Sequence, residues 1–255
     1  MMTYPANSTS VSPTFPCLSS SDVHVWFCDL LPYVDAQETL AAILSLEEQA
    51  RAARFAFDRD RQRFILSHAL LRLILSRYIR IDAGQVQFSS GQHGKPSISG
   101  AGAAAEGLQF SLSHSGSYAL VAVARGRAVG VDLEMRKPGL DVLKLAQRFF
   151  APSESRLIAT ADGEIRQHLF YRFWTAKEAY VKGRGVGLSL GLDRFEVSFE
   201  GESSLGRVRW TESGVFDSAW QIRSLLLRNQ LAGAIAAEGD AWELHSYEST
   251  GYSFS

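Results

Sequence analysis

The sequence predicts an α+β architecture in two lobes. Residues 35–81 repeat apolar side chains at helical spacing, and strand-like segments follow between Leu108 and Glu134. Helical spacing returns from Leu143 to Lys182, and alternating segments follow once more. Helices and then strands, twice over, points to segregated α and β layers rather than to βαβ units. The halves meet near residues 125–127, which gives an N-terminal lobe over 23–125 and a C-terminal lobe over 126–240. An arm (1–22) and a tail (241–255) flank them.

The arm holds three of the seven prolines and six serines before Asp22, a composition of a flexible segment rather than of core. Residues 24–30, rich in Val, Trp and Phe, read as the first strand. Two or three helices follow over 35–81, with one apolar stripe through Leu46, Ala50, Ala53 and Phe57 and another through Phe64, Leu71, Ile74 and Tyr78. A loop with Gly91, Gly94 and Pro96 and a Gly/Ala-rich stretch at 100–107 break the pattern. Strands are expected at 108–112, 118–123 and 128–134, the last two close enough for a hairpin. Beyond Pro138 come a helix at 143–150, a cap at Ser153 before Glu154, and a long helix over 164–182 stopped by Gly183, Gly185 and Gly187. Short strands at 195–199, 207–210, 220–227 and 232–237 complete the chain.

At 46% hydrophobic and 21% charged, the 255 residues match soluble globular domains, and disordered, collagen-like and coiled-coil classes are excluded. The net charge of −1 argues against a general nucleic-acid binder. That balance hides an asymmetry: residues 1–50 carry six acids and no Lys or Arg, whereas 51–80 carry eight Arg against Asp58 and Asp60. Two cysteines, Cys17 and Cys28, cannot build a disulfide framework or a four-ligand zinc site. With no signal-like start and no apolar run of membrane-spanning length, a soluble cytoplasmic protein is expected.

Asp132-Leu133-Glu134 ends an apolar strand, and strand alternation puts both carboxylates on one face about 7 Å apart. Such a pair needs solvent or a hard cation such as Mg²⁺ or Mn²⁺. Trp174, Glu178 and Lys182 share one side of the long helix, either as a core tryptophan beside an exposed ion pair or as a third carboxylate with a phosphate-binding lysine. Ser111, Ser113 and His114 stand where a strand ends. Adjacent Ser and His do not form a nucleophile–base pair, so they are capping groups or phosphate contacts. Gly94-Lys95-Pro96 presents one lysine on a tight loop, and lysine is scarce, five against 21 arginines. The glycines at 183–187 follow a helix instead of opening one, against a P-loop or dinucleotide fingerprint. The remaining histidines show no metal-ligand spacing.

In order, Gly94-Lys95-Pro96, Phe110-Ser-Leu-Ser-His114, Val129-Gly-Val-Asp-Leu-Glu134, Arg148-Phe-Phe150 with Glu154, and Trp174-Thr-Ala-Lys-Glu-Ala179 with Lys182 and Gly187-Leu188 closely resemble the blocks of the 4′-phosphopantetheinyl transferases, of the surfactin-synthetase-activating type. The resemblance implies two similar α/β lobes in one chain, a pseudo-dimer with the active site between them. It implies transfer of the phosphopantetheine arm of coenzyme A to a serine of an acyl or peptidyl carrier domain, by a monomer that binds neither nucleic acid nor membrane. Matched residue by residue, Asp132, Glu134 and Glu178 would hold Mg²⁺, with Glu178 also the candidate base. Lys182 and His114 would contact phosphates, Lys95, Pro96 and Ser113 the adenosine bisphosphate end, and Arg51, Arg54 and Arg63 the 3′-phosphate. Two departures stand out: Ser111 replaces the usual Asn, and Glu48 replaces a Lys that some members carry. A coenzyme A binder without transfer activity and a metal-dependent coenzyme A pyrophosphate hydrolase are the rival readings.

Overall fold

A computed structural model describes residues 15–249 except 92, 93, 101, 202 and 229. It is an α+β protein whose four layers run helix, sheet, sheet, helix. The first sheet has the order β11-β1-β5-β4, from β1 (Asp22–Asp29), β4 (Leu108–Ser115), β5 (Tyr118–Arg125) and β11 (Glu243–Glu248). The second has the order β6-β10-β9-β8-β7, from β6 (Val129–Met135), β7 (Phe195–Phe199), β8 (Leu205–Trp210), β9 (Trp220–Leu225) and β10 (Leu231–Glu238). A ribbon of β2 (Gln87–Ser90) and β3 (Pro96–Ser99) stands apart.

Strand alternation separates the cores. Trp26, Cys28, Val121 and Val123 face α3 (Asp58–Ile79) and pack on its Leu66, Leu70, Leu71 and Ile74. The opposite faces of β1 and β5, Val23, Val25, Leu120 and Ala122, meet Val129, Val131, Leu133 and Ile235 of the second sheet. The far side of that sheet, Ala232, Ala234 and Ala236 with Ile222, packs under α6 (Gly163–Arg184). Each lobe therefore lays one 22-residue helix on its sheet, and the bare sheet faces bury each other.

Several expectations are corrected. The N-terminal helical stretch takes the larger of its two expected counts, three helices, α1 (Gln37–Ala42), α2 (Leu46–Ala52) and α3. The stripe through Leu46 and Phe57 is not a core face, since these side chains are 85% and 62% exposed; Ser45 caps α2 and turns Glu48 and Ala52 inward instead. The 118–123 and 128–134 strands do not form a hairpin. β5 is central, held by β1 and β4, and the chain steps across to pair β6 with β10. Ser153 does not cap α5 (Pro152–Thr160), which follows α4 (Val142–Phe149): Pro152 opens it, Glu154 reaches back to the Ala151 amide, and Ser153 bonds Glu196. The loop over 91–96 joins two short strands.

The expected arm and tail are also partly built in. Residues 1–14 of the arm and 250–255 of the tail lie outside the described residues, but Phe15 stacks on Trp26 at 5.1 Å and Glu243–Glu248 adds the parallel strand β11 beside β1. Among the described residues no helix is long and apolar enough to cross a membrane.

Candidate active site between the lobes

The edge strands β4 and β6 meet without pairing backbone to backbone. Instead the odd-numbered serines of β4 accept the free amides of β6: Val131 N donates to Ser111 Oγ (3.1 Å), Leu133 N to Ser113 Oγ (3.2 Å) and Met135 N to Ser115 Oγ (3.0 Å). Two of these hydroxyls donate onward, Ser113 to Asp132 Oδ1 at 2.9 Å and Ser115 to Glu134 Oε2 at 2.9 Å. The serine ladder thus joins the lobes and aims the carboxylates in one stroke, and Ser111 bridges to β6 at its top rung.

Close packing brings α6 to the same place. A Cβ on Gly130 would sit 2.1 Å from Ala179 O and 2.2 Å from Gly183 N, so only glycine lets β6 lie this near the helix. Two residues along the strand, on the same face as Gly130, Asp132 meets Lys182: Nζ lies 2.6 Å from Oδ1 and 3.0 Å from Ser113 Oγ. Glu178 stands one turn earlier on α6.

Asp132 is 4% exposed, and its Oδ2 is buried with no hydrogen-bond partner. Burial, and then the neighbouring Asp132 charge, pushes the carboxyls of both Glu134 and Glu178 above the usual carboxylate range. Three carboxylates share the site with the Lys182 ammonium, and Lys137 also acts on Glu134, so the site remains short of positive charge. Their oxygen donors fit a hard divalent cation, for which the orphaned Oδ2 is the open ligand. The three carboxylates do not converge on a common point: among the described residues, the one trio of such groups with ligand atoms all within 4.8 Å of one another is Asp22, Glu243 and His245.

A cavity of about 470 Å³ opens beside them, lined from the first lobe by Arg51, His68, Lys95, Pro96, Ser113 and His114 and from the second by Glu178, Lys182 and Gly185. His114 faces this cavity and is exposed to it, with Arg63, His68 and Lys182 nearby. Desolvation first, then Arg63, His68 and Lys182, brings its imidazole down to about 4, so it is neutral at pH 7. Lys95 reaches across Gly185 and donates to Val129 O (3.0 Å) and Gly183 O (2.7 Å), clamping the two lobes; burial lowers it to about 8. Arg51 lies over the Phe64 ring at the cavity edge. Arg63 is taken up by Gly116 O (2.7 Å) and Asp60, while Arg54 is exposed and does not line the cavity. Lys177, by contrast, is fully buried against Glu154 at 2.8 Å and belongs to the core.

Sequence reasoning passes over His68 and the role of Glu48. The Glu48 carboxylate lies 3.0 Å from His68 Nδ1, accepts from buried Arg72 at 2.7 Å, and closes a capping box with Ser45. Burial works to raise its carboxyl, but the bonds from His68, Ser45 and Arg72 outweigh it and hold the group down to about 2. Their spacing carries the only signal: Glu48 lies on α2, and His68 and Arg72 stand one turn apart on α3.

Comparison with known proteins decides the family. A profile described as 4′-phosphopantetheinyl transferase superfamily matches residues 128–236, and one described as 4′-phosphopantetheinyl transferase, N-terminal, matches residues 31–126. The chain is 38% identical over 228 residues to the 4′-phosphopantetheinyl transferase HetI of Nostoc sp., covering 89% of this chain and 92% of HetI. This protein belongs to the 4′-phosphopantetheinyl transferase superfamily. It is also 32% identical to the transferase Sfp of Bacillus subtilis, over 64% of this chain and 70% of Sfp, and 34% identical to psf-1 of Bacillus pumilus, over 66% and 70%. The boundary between the two phosphopantetheinyl transferase profiles falls where the chain steps from β5 to β6.

Proposed function

We propose that this enzyme transfers the 4′-phosphopantetheine arm of coenzyme A to a serine hydroxyl of an apo-carrier protein, with Mg²⁺, and releases adenosine 3′,5′-bisphosphate. The observation that carries the reading is the interlobe cavity itself, with Arg51, His114 and Lys182 on its wall and the orphaned Asp132 carboxylate behind Lys182. Its volume suits a small-molecule site, and its cations suit a multiply phosphorylated ligand.

Asp132, Glu134 and Glu178 would hold the cation, which when bound neutralises charge on the pyrophosphate. The acceptor oxygen attacks the phosphorus that bears the pantetheine, the bond from that phosphorus to the bisphosphate leaving group breaks, and the hydroxyl proton passes to a base. Glu178 suits that role: it makes no hydrogen bond among the described residues, and its raised carboxyl is a better base near neutral pH. Lys182 and His114 steady the phosphates. In this reading the protein works as a cytoplasmic monomer on acyl and peptidyl carrier domains, and the free thiols of Cys17 and Cys28 accord with a reducing compartment.

The test is incubation with coenzyme A, Mg²⁺ and apo-carrier, followed by mass spectrometry of the carrier and chromatography of nucleotides. Mg²⁺-dependent addition of phosphopantetheine is expected, and Glu178→Ala should lower the rate by about 10²–10⁴-fold with an unchanged circular dichroism spectrum. Nucleotide release without carrier would mark a hydrolase, and bound coenzyme A with no mass gain across several carriers would mark a binder.

A further inference from the structure

Lys182 makes contacts that phosphate binding does not require. Its ammonium is turned away from a purely solvent-facing pose and lies on Asp132 Oδ1 (2.6 Å) and Ser113 Oγ (3.0 Å), while Ser113 donates to the same Oδ1 (2.9 Å). Those contacts are tight, and they leave the second oxygen of a buried carboxylate unmatched. The lysine side chain is still one-third exposed, at 33%, and lines the cavity, so its head can move along a flexible stem without disturbing α6.

We propose that Lys182 is an internal stand-in for the divalent cation: it neutralises Asp132 until cation and pyrophosphate arrive together, when its ammonium passes from the carboxylate to the phosphate oxygens. The inference rests on the metal-site reading above. Its physical basis is competition. A divalent ion on Asp132 and an ammonium on the same carboxylate repel each other at contact distance, so the cation alone must displace the lysine into water and forfeit its two bonds. When the cation comes with a pyrophosphate, the displaced ammonium gains an anionic acceptor, and the exchange becomes favourable. Lys182 then makes cation binding conditional on the nucleotide, and by linkage the reverse holds equally.

The experiment measures Mn²⁺ alone on the full-length protein by electron paramagnetic resonance of the free ion, and coenzyme A in saturating Mn²⁺ by calorimetry. For Lys182→Gln the two affinities should move in opposite directions: Mn²⁺ alone binds about tenfold tighter than in wild type, and coenzyme A about tenfold weaker or worse. In wild type, coenzyme A should tighten Mn²⁺ about tenfold; in the variant this coupling should largely vanish. Lys182→Arg keeps the charge and should keep the weak Mn²⁺ affinity, which guards against a folding defect in the glutamine variant. Equal or weaker Mn²⁺ binding by Lys182→Gln, with a wild-type melting curve, overturns the proposal. Failure of the wild type to modify any carrier would count against the proposed function and leave this comparison standing.

Discussion

The contact between β6 and α6 sets the whole site, and replacing Gly130 by Ala probes it directly. The added Cβ would fall 2.1 Å from Ala179 O and 2.2 Å from Gly183 N, both backbone atoms that no rotamer can move. Strand and helix must part by more than about 1 Å to restore ordinary contact. The sheet side of the helix has no slack elsewhere, since the Trp220 ring of β9 lies 2.6 Å from where a Cβ on Gly183 would stand. Overpacking of this kind costs about 2–3 kcal/mol. In a chain of this size that lowers the melting temperature by about 4–12 °C. The same displacement moves Asp132, two residues along the strand, away from Lys182 and Glu178, and misplacement by about 1 Å costs on the order of 10²-fold in rate. Calorimetry and the carrier-loading assay read the two effects separately. Gly84→Ala, where nothing lies within 4 Å of the added atom, is the control and should leave both unchanged. If Gly130→Ala melted with wild type and loaded carrier at the wild-type rate, the claim that glycine packing sets the site would be wrong.

Two further outcomes follow from buried charges. Glu48 is held down to about 2 from an ordinary 4.5, so its contribution of about 3 kcal/mol is complete above pH 4.5 and is lost as pH falls through 2. The gap in urea-unfolding free energy between wild type and Glu48→Gln should therefore close between pH 5 and pH 2, both values bracketing that window; a gap independent of pH would refute the assignment. Lys177→Met strands the Glu154 carboxylate, 3% exposed, without its cation, and should cost about 3–5 kcal/mol by guanidinium denaturation. A loss below about 1 kcal/mol would show that the pair is not what holds this corner of the core.

Much of the site is legible in the sequence because period reveals direction. Asp132 and Glu134 alternate with Val131 and Leu133, and Glu178 and Lys182 share a helix face, so the residues that face the site declare themselves locally. What stays hidden depends on partners distant in sequence. The serines of β4 look like caps or ligands, since nothing in Phe110–Ser115 says that the amides of β6 lie opposite. The same blindness makes a hairpin of β5 and β6, because adjacency in sequence stands in for pairing that β10 in fact provides. Glu48 reads only as a departure where some members carry Lys, and its actual partners, His68 and Arg72, lie 20 and 24 residues away. Lys95 and Lys182 both suit phosphate, yet both are engaged by the protein itself. A sequence shows which groups can bind an anion, but it does not show what else they hold.

The return of β11 to β1 also constrains how the protein comes into being. The strand beside Asp22–Asp29 is made of residues 243–248, so the first sheet keeps one raw edge while all the residues between the two strands are made. A ribosome delivering residues in order, at about 5–20 per second, leaves that edge open for roughly 10–40 s after β1 has emerged, while the second lobe is still being made. The second lobe is thus an insertion within the first lobe's sheet, whose last strand can be added only after that lobe has been made.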